Sequence, residues 1–161
     1  MKTIFPKKEC HIPRWFVVDA KGKTLGRLAT EVSKLLRGKE NSYFTPGVDQ
    51  GNFVVVLNAR HVEVTGKKAL QKLYYRNSHT PGNLKMETFQ QLQIRIPNRI
   101  VERAIWGMLP KGVLGREQYR RLYVYSDEEM LFTTKQKEIE QQKETQERKT
   151  LSASNWVHVK I

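Results

Sequence analysis

Disulfide chemistry is absent from this chain, because its 161 residues include one cysteine, Cys10. A lone thiol excludes an internal disulfide framework and fits a reducing compartment. No apolar run approaches the ~18 residues that a membrane span requires. Met1–Pro13 carries neither the apolar core of a secretion signal nor an Arg/Ser-rich transit pattern. The expectation is a protein made where it works, or one already processed.

Acidic residues are scarce. Lys and Arg number 29 against 16 Asp and Glu, a formal charge of +13. The excess is uneven: residues 1–126 hold 23 cations and 9 acids, net +14, whereas 127–161 hold 6 and 7, net −1. A folded body this basic repels itself unless a polyanion neutralises it. With no apolar span and no basic amphipathic helix bearing a heavy aromatic face, the expected polyanion is nucleic acid and no membrane is expected.

Catalytic and cofactor patterns are also missing. Gly22-Lys23-Thr24 follows an apolar run and invites a phosphate-loop reading. The full pattern, however, requires glycine at position 17, which is Val17, and the turn is too short to wrap a triphosphate. No Gly-x-Gly-x-x-Gly follows either apolar run. His11, His61, His79 and His158 are scattered singly, and Cys10-His11 has no partner at zinc-ligand spacing. Asp19 is expected to close a strand, and Asp49 to order its loop through side-chain-to-backbone hydrogen bonds. No enzyme activity, metal or cofactor is expected.

What is present is an alternation of strand and helix signals. Trp15–Ala20 and Phe53–Ala59 are continuous apolar runs, the pattern of strands buried on both faces. Between them Thr24 is a candidate N-cap, and Leu25, Leu28, Ala29, Val32, Leu35 and Leu36 recur at helical spacing up to Gly38. Together they predict a parallel βαβ unit. Short strands are expected at Val62–Val64, around Leu73–Tyr75 and at Tyr123–Tyr125. Helices are expected over Met86–Ile94, over Arg99–Leu109 behind Pro97, and over Glu117–Leu122. This order predicts an α/β layered fold with helices on both sheet faces. The organisation expected is an N-terminal arm (1–12), one domain (13–126) and a charged Glu/Gln/Lys-rich extension (127–161). Asp127–Thr150 reads as a solvated helix or disorder, and Asn155–Ile161 alternates like a strand that would add to a sheet edge.

The most distinctive stretch is Trp106-Gly107-Met108-Leu109-Pro110-Lys111-Gly112-Val113-Leu114-Gly115-Arg116, running on to Arg120 and Arg121. Glycine and proline interrupt a helical pattern, cations are set among them, and no acid lies between Arg103 and Glu117. It reads either as a helix–loop–helix corner with solvated charges or as a shaped cationic turn presented to phosphates. Further cation groups lie at turns and element ends: Lys21, Lys23 and Arg27; Arg37 and Lys39; Lys67 and Lys68; Lys72 and Arg76. With Lys111, Arg116, Arg120 and Arg121 they form the candidate RNA-binding set. Tyr74, Tyr75 and His79 could stack on bases, although tyrosines in an apolar run, like Trp106 on its helix, usually belong to packing.

These residues also resemble one family. Trp15–Ala20, Gly22–Thr30, Leu36-Arg37-Gly38-Lys39, Tyr43-Phe44-Thr45-Pro46, Asn58-Ala59, Val64–Lys68 and Gly107–Arg116 occur here in the order seen in the bacterial-type large-subunit ribosomal protein L-thirteen family. Met86–Phe89 and Arg95–Arg99 are similar to its cyanobacterial and plastid branch. The resemblance covers roughly residues 13–126. It implies a three-layer α/β/α domain with a mainly parallel four-stranded sheet. It also implies a non-enzymatic role: binding large-subunit ribosomal RNA, supporting early assembly and contacting neighbouring ribosomal proteins. The setting implied is a ribosome of the plastid stroma or the bacterial cytoplasm. The family's basic loops map onto Lys21, Lys23, Arg27, Lys67, Lys68, Lys111 and Arg116. The extension beyond Asp127 lies outside the resemblance. Two other functions are compatible with the residues alone, a regulatory RNA binder acting off the ribosome and, less readily, a nucleotide-processing enzyme.

Overall fold

The computed structural model describes residues 6–7 and 11–127. The expectations for Cys10 and for the extension beyond Asp127 lie outside these residues. The described chain is a mixed α/β unit built around a parallel sheet, with a separate antiparallel pair of strands.

Strand β1 (Trp15–Asp19) leads through Lys21-Gly22 into helix α1 (Leu25–Arg37), which returns to β2 (Phe53–Leu57). β1 and β2 pair in parallel, Trp15 beside Phe53 through Asp19 beside Leu57. The expected βαβ unit is therefore present. Helix α1 starts at Thr24, whose backbone is extended but whose side chain makes no capping bond, and ends at Gly38, left-handed at φ 72°. Glycine is needed there twice over, because a Cβ would also sit 2.0 Å from the Gln50 carbonyl oxygen.

After a 3-10 turn at Ala59–His61 come a one-turn helix α2 (Lys68–Gln71) and strands β3 (Leu73–Asn77) and β4 (Leu84–Thr88), paired antiparallel. Helices α3 (Phe89–Arg95), α4 (Asn98–Met108) and α5 (Val113–Tyr119) follow, and β5 (Leu122–Val124) closes the sheet in the order β1-β2-β5.

Several expectations need correction. Met86–Ile94 is not one helix, since the chain stays extended to Thr88, held by the ladder to β3, before α3 begins. The switch is local: the Thr88 hydroxyl accepts from the Gln91 backbone N–H, and the Gln91 side chain accepts from the Thr88 N–H, a complete capping box. The helix expected over Glu117–Leu122 runs instead from Val113 to Tyr119 and begins at Gly112. The final strand is correspondingly one residue early. Val62–Val64 contributes only a single parallel bridge, between Thr24 and Glu63. Thr24 is where the chain turns into α1, so a longer ladder has no partner. The parallel sheet thus has three strands among the described residues.

One face of this sheet meets the main core. Phe16, Val18, Val54, Val56, Leu122 and Val124 pack with Leu28, Val32 and Leu36 of α1 and Ile100, Val101 and Ile105 of α4. The alternate residues carry a stacked aromatic row, Trp15 on Phe53 at 4.3 Å between ring centroids and on Tyr123 at 5.8 Å. β1, expected to be buried on both faces, is an edge strand, and its Val17 is 64% exposed. β2 is central, and Val54–Leu57 are all buried.

Candidate nucleic-acid interface

Two of the basic segments, the start of α1 and the turn into α2, meet at one end of α1. A cleft of about 530 Å³ is lined by Thr24, Leu25 and Gly26 from the helix start, by Glu63, Val64 and Thr65, by Lys68, Gln71 and Lys72 around α2, and by Ala104 and Met108 from the end of α4. Three segments far apart in sequence therefore share one concavity. Met108 is tied there by the Thr30 hydroxyl, which approaches its sulfur at 3.6 Å. Thr24 leaves the first turn of α1 without a side-chain cap, and no acid stands in that turn. The Glu63 carbonyl takes the Leu25 N–H at 2.9 Å, and the remainder of this acid-free first turn, with cations nearby, favours an anion.

Lys21 and Lys23 flank Gly22, which is left-handed at φ 68°. The turn is braced by Asp19, whose carboxylate accepts from the Lys21 backbone N–H at 3.0 Å and from the Asn58 side chain at 2.9 Å. These two hydrogen bonds hold the Asp19 carboxyl below its ordinary pKa of 3.8, with the charges of Lys21 and Lys23 adding to the effect. Lys23 also reaches Glu31 at 3.7 Å, an exposed pair. Arg27, Lys67 and Lys68 are exposed around the same end of the body. Lys72 holds its ammonium 5.4 Å from the centre of the Tyr74 ring.

Other members of the set are not brought to this cleft. Arg37 and Lys39 lie at the far end of α1, about 18 Å along its axis, with Arg37 over the Phe44 ring at 6.0 Å. Arg76 is exposed on β3, opposite Lys85 of β4. Lys111 is exposed in the turn before α5, and Arg116 and Arg120 are exposed four residues apart along and just beyond that helix. Arg121 differs from all of these, because its guanidinium grips the buried Asp49 carboxylate with two hydrogen bonds. Asp49 does order its loop as expected, accepting from the Gly51 N–H at 3.3 Å, but its main partner is a cation from the other end of the domain.

Within the glycine–proline stretch only Leu109–Gly112 is a turn, because Gly107 continues α4 rather than interrupting it and Gly115 belongs to α5, and the shape of that turn has an internal cause. A Cβ on Gly115 would lie 1.8 Å from the Pro110 carbonyl oxygen, so α5 packs directly on the preceding turn. Gly107 and Gly112, by contrast, have nothing within 4 Å of a built Cβ. Trp106 packs edge-on against Tyr119 at 5.0 Å, in keeping with its expected packing role. Tyr74 is buried while Tyr75 is exposed. Arg95, Arg99 and Arg103 are cations outside the candidate set, although their spacing of four residues is a signal present in the sequence.

Among the described residues, no group of three His, Cys, Asp or Glu side chains is placed to hold a metal. No described helix is long and apolar enough to cross a membrane.

Known proteins share this sequence over most of its length. The family described as Ribosomal protein L13 matches residues 13–131. The chain is 59% identical over 124 residues to the large ribosomal subunit protein uL13 of Prochlorococcus marinus strain MIT 9301, covering 77% of this chain and 87% of that one. It is 57% identical over 128 residues to the protein of the same name from Synechococcus sp. strain CC9902, covering 80% and 85%. For Picosynechococcus sp. the figures are 52% over 139 residues, covering 86% of this chain and 92% of the relative.

Proposed function

This chain belongs to the ribosomal protein L13 family, and we propose from that premise that it is a structural, non-enzymatic constituent of the large ribosomal subunit, binding large-subunit RNA and neighbouring ribosomal proteins. Its setting is the ribosome, in the cytoplasm of a cyanobacterial-type cell or in a plastid. The observation that carries the RNA-binding part is the convergence of the α1 start, the Val64–Lys72 segment and the end of α4 at Met108 around one cleft.

The mechanism is electrostatic and shape-based. Lys21, Lys23, Arg27, Lys67, Lys68 and Lys72 displace counterions from phosphates around the cleft, while turns braced by Asp19 and by Gly115 hold the cations in place. Lys111, Arg116 and Arg120 extend the footprint along α5, and Arg37, Lys39 and Arg76 mark its outer limits. Arg121 serves the footprint from within by fixing the chain that leads from α5 into β5. The RNA-binding unit is the body 13–126, with 1–12 as an arm and 127–161 as an extension. The finer architecture we assign is three layers around four strands, with the Thr24–Glu63 bridge as the start of the fourth.

The test replaces Lys68 and Lys72 of the cleft by Gln and, in a second variant, Lys111, Arg116 and Arg120 together by Gln. Ribosomal RNA binding should weaken, and the slope of log affinity against log salt should fall by about 0.7–0.9 for each phosphate that is no longer neutralised. Retention in large subunits through a high-salt gradient should fall with it. An unchanged slope and full retention would remove the cleft from the interface in the first variant, and the turn with α5 in the second.

A further inference from the structure

We infer that a second RNA site lies on the outer stripe of α4, taking an unpaired segment with its phosphates on Arg99 and Arg103 and one base in the groove beside Trp106. Arg99, Glu102, Arg103 and Trp106 recur at helical spacing, so they share one side of α4, opposite the buried Ile100, Val101 and Ile105. With Tyr119 of α5 they line a groove of about 300 Å³. Arg99 and Arg103 also border an adjoining recess that contains Arg76 and Arg95. The two hollows thus share the same pair of arginines.

Charge and geometry point to phosphate. Four arginines meet two acids here, and one of those acids, Glu87, is already held by Arg95 at 2.6 Å. Arg103 is pre-placed, since it donates to the Tyr75 carbonyl at 3.3 Å and lies 5.8 Å from the centre of the Tyr74 ring. A guanidinium fixed in this way loses little freedom on binding and presents a planar fork suited to a phosphate. The groove beside it is walled by the edge-to-face pair of Trp106 and Tyr119. Aromatic walls next to arginines suit an unstacked base, which a duplex does not offer. The groove is small for a ligand pocket and holds one base rather than a helix. Helix α4 leads from Arg99 into the Leu109–Gly112 turn, so a strand lying along it reaches both surfaces. This inference rests on the RNA-binding reading for its class of ligand, and on none of the cations in the cleft or on α5.

The experiment titrates the full chain with a labelled oligouridylate of about 12 nucleotides and with an RNA duplex of equal length, over a range of salt. Arg99→Gln with Arg103→Gln should weaken oligouridylate binding about tenfold and lower its salt slope by about 1.4, two phosphates at ~0.7 each. Duplex binding should change less. Trp106→Leu should weaken oligouridylate binding about tenfold with the slope unchanged. Arg99→Lys with Arg103→Lys keeps the charge and guards against a folding artefact; it should preserve the slope while lowering affinity through the missing fork. An unchanged oligouridylate slope in the Gln variant would overturn the site, as would equal losses for duplex and single strand, or full affinity in Trp106→Leu. Because this readout does not depend on entry into subunits, it can fail while the α5 variant still loses retention, and the reverse.

Discussion

Arg121 and Asp49, 72 positions apart, form a two-pronged ion pair in which the Asp49 side chain is 1% exposed and that of Arg121 19%. The guanidinium also lies 5.9 Å from the centre of the Phe53 ring. Gly51 makes room for it, since a Cβ there would lie 2.7 Å from the Arg121 Nη1 and 2.0 Å from the Leu36 carbonyl oxygen. Around this pair, Asn52 accepts from the Arg14 backbone N–H at 3.0 Å, and His11 meets the Gly51 carbonyl at 3.2 Å. The pair thus joins the end of α1, the loop before β2 and the approach to β5.

Removing one partner strands the other charge. Arg121→Gln should cost about 3 kcal/mol, because it leaves the Asp49 carboxylate buried without its cation. The double variant with Asp49→Asn should cost less than the sum of the two single changes. Urea unfolding of the four proteins checks both statements. Additive effects would mean the two side chains do not act as a unit.

The three glycines of the distinctive stretch should separate cleanly. Gly115→Ala drives a Cβ into the Pro110 carbonyl and should destabilise by about 1–3 kcal/mol. Gly107→Ala lies inside α4 with open space around it and should stabilise by roughly 0.5–1 kcal/mol through helix propensity. Gly112, at the helix start and equally open, should respond little. Denaturant midpoints of the three variants give the comparison.

Asp19 gives a pH signature of definite sign. Its carboxyl titrates lower in the folded chain than the ordinary 3.8 because the Lys21 backbone N–H and the Asn58 side chain bond the charged form. A lowered folded pKa adds stability above the unfolded value and loses it as pH falls through the folded one. Asp19→Asn should therefore be less stable than the parent at neutral pH, with the gap closing as acid protonates the parent's carboxyl. A gap that does not narrow at all as pH falls from 3.8 through the lower folded-state value would mean that the hydrogen bonds do not depend on charge.

Thr88 should behave as a helix start rather than as a strand residue. Thr88→Ala removes the capping box and should cost about 1 kcal/mol. Serine at the same position should retain most of that stability. Thermal melts of the two variants distinguish this role from a simple loss of β propensity.

Local spacing makes much of this molecule legible. The apolar positions from Leu25 to Leu36 and the stop at Gly38 describe α1, and Pro97 marks the start of α4, because caps and periodicity act within a few residues. The same reliance on local pattern misplaces the β4–α3 boundary. Met86 and Ile94 fit one helical period, and only the ladder to β3 pulls the first part straight. In the candidate interface, the sign and density of charge are plain in the composition. The sharing of one cleft by Gly26, Lys68 and Met108 is not, because their separations along the chain carry no information about distance.

The order of residues is enough to establish an α/β chain with a strongly basic body and an α1 bounded at Thr24 and Gly38. Which of two similar apolar runs becomes central is settled only by the assembled sheet. Phe53–Leu57 has strands on both sides, whereas Trp15–Asp19 has one neighbour and exposes Val17. The folded chain also sorts the arginines that face solvent from those that do not. Arg120 and Arg121 are adjacent and alike in sequence, yet one is exposed and the other is bound to Asp49. The physical reason is common to both cases: strand order and ion pairing are set by partners brought together from distant parts of the chain, and no local pattern encodes them.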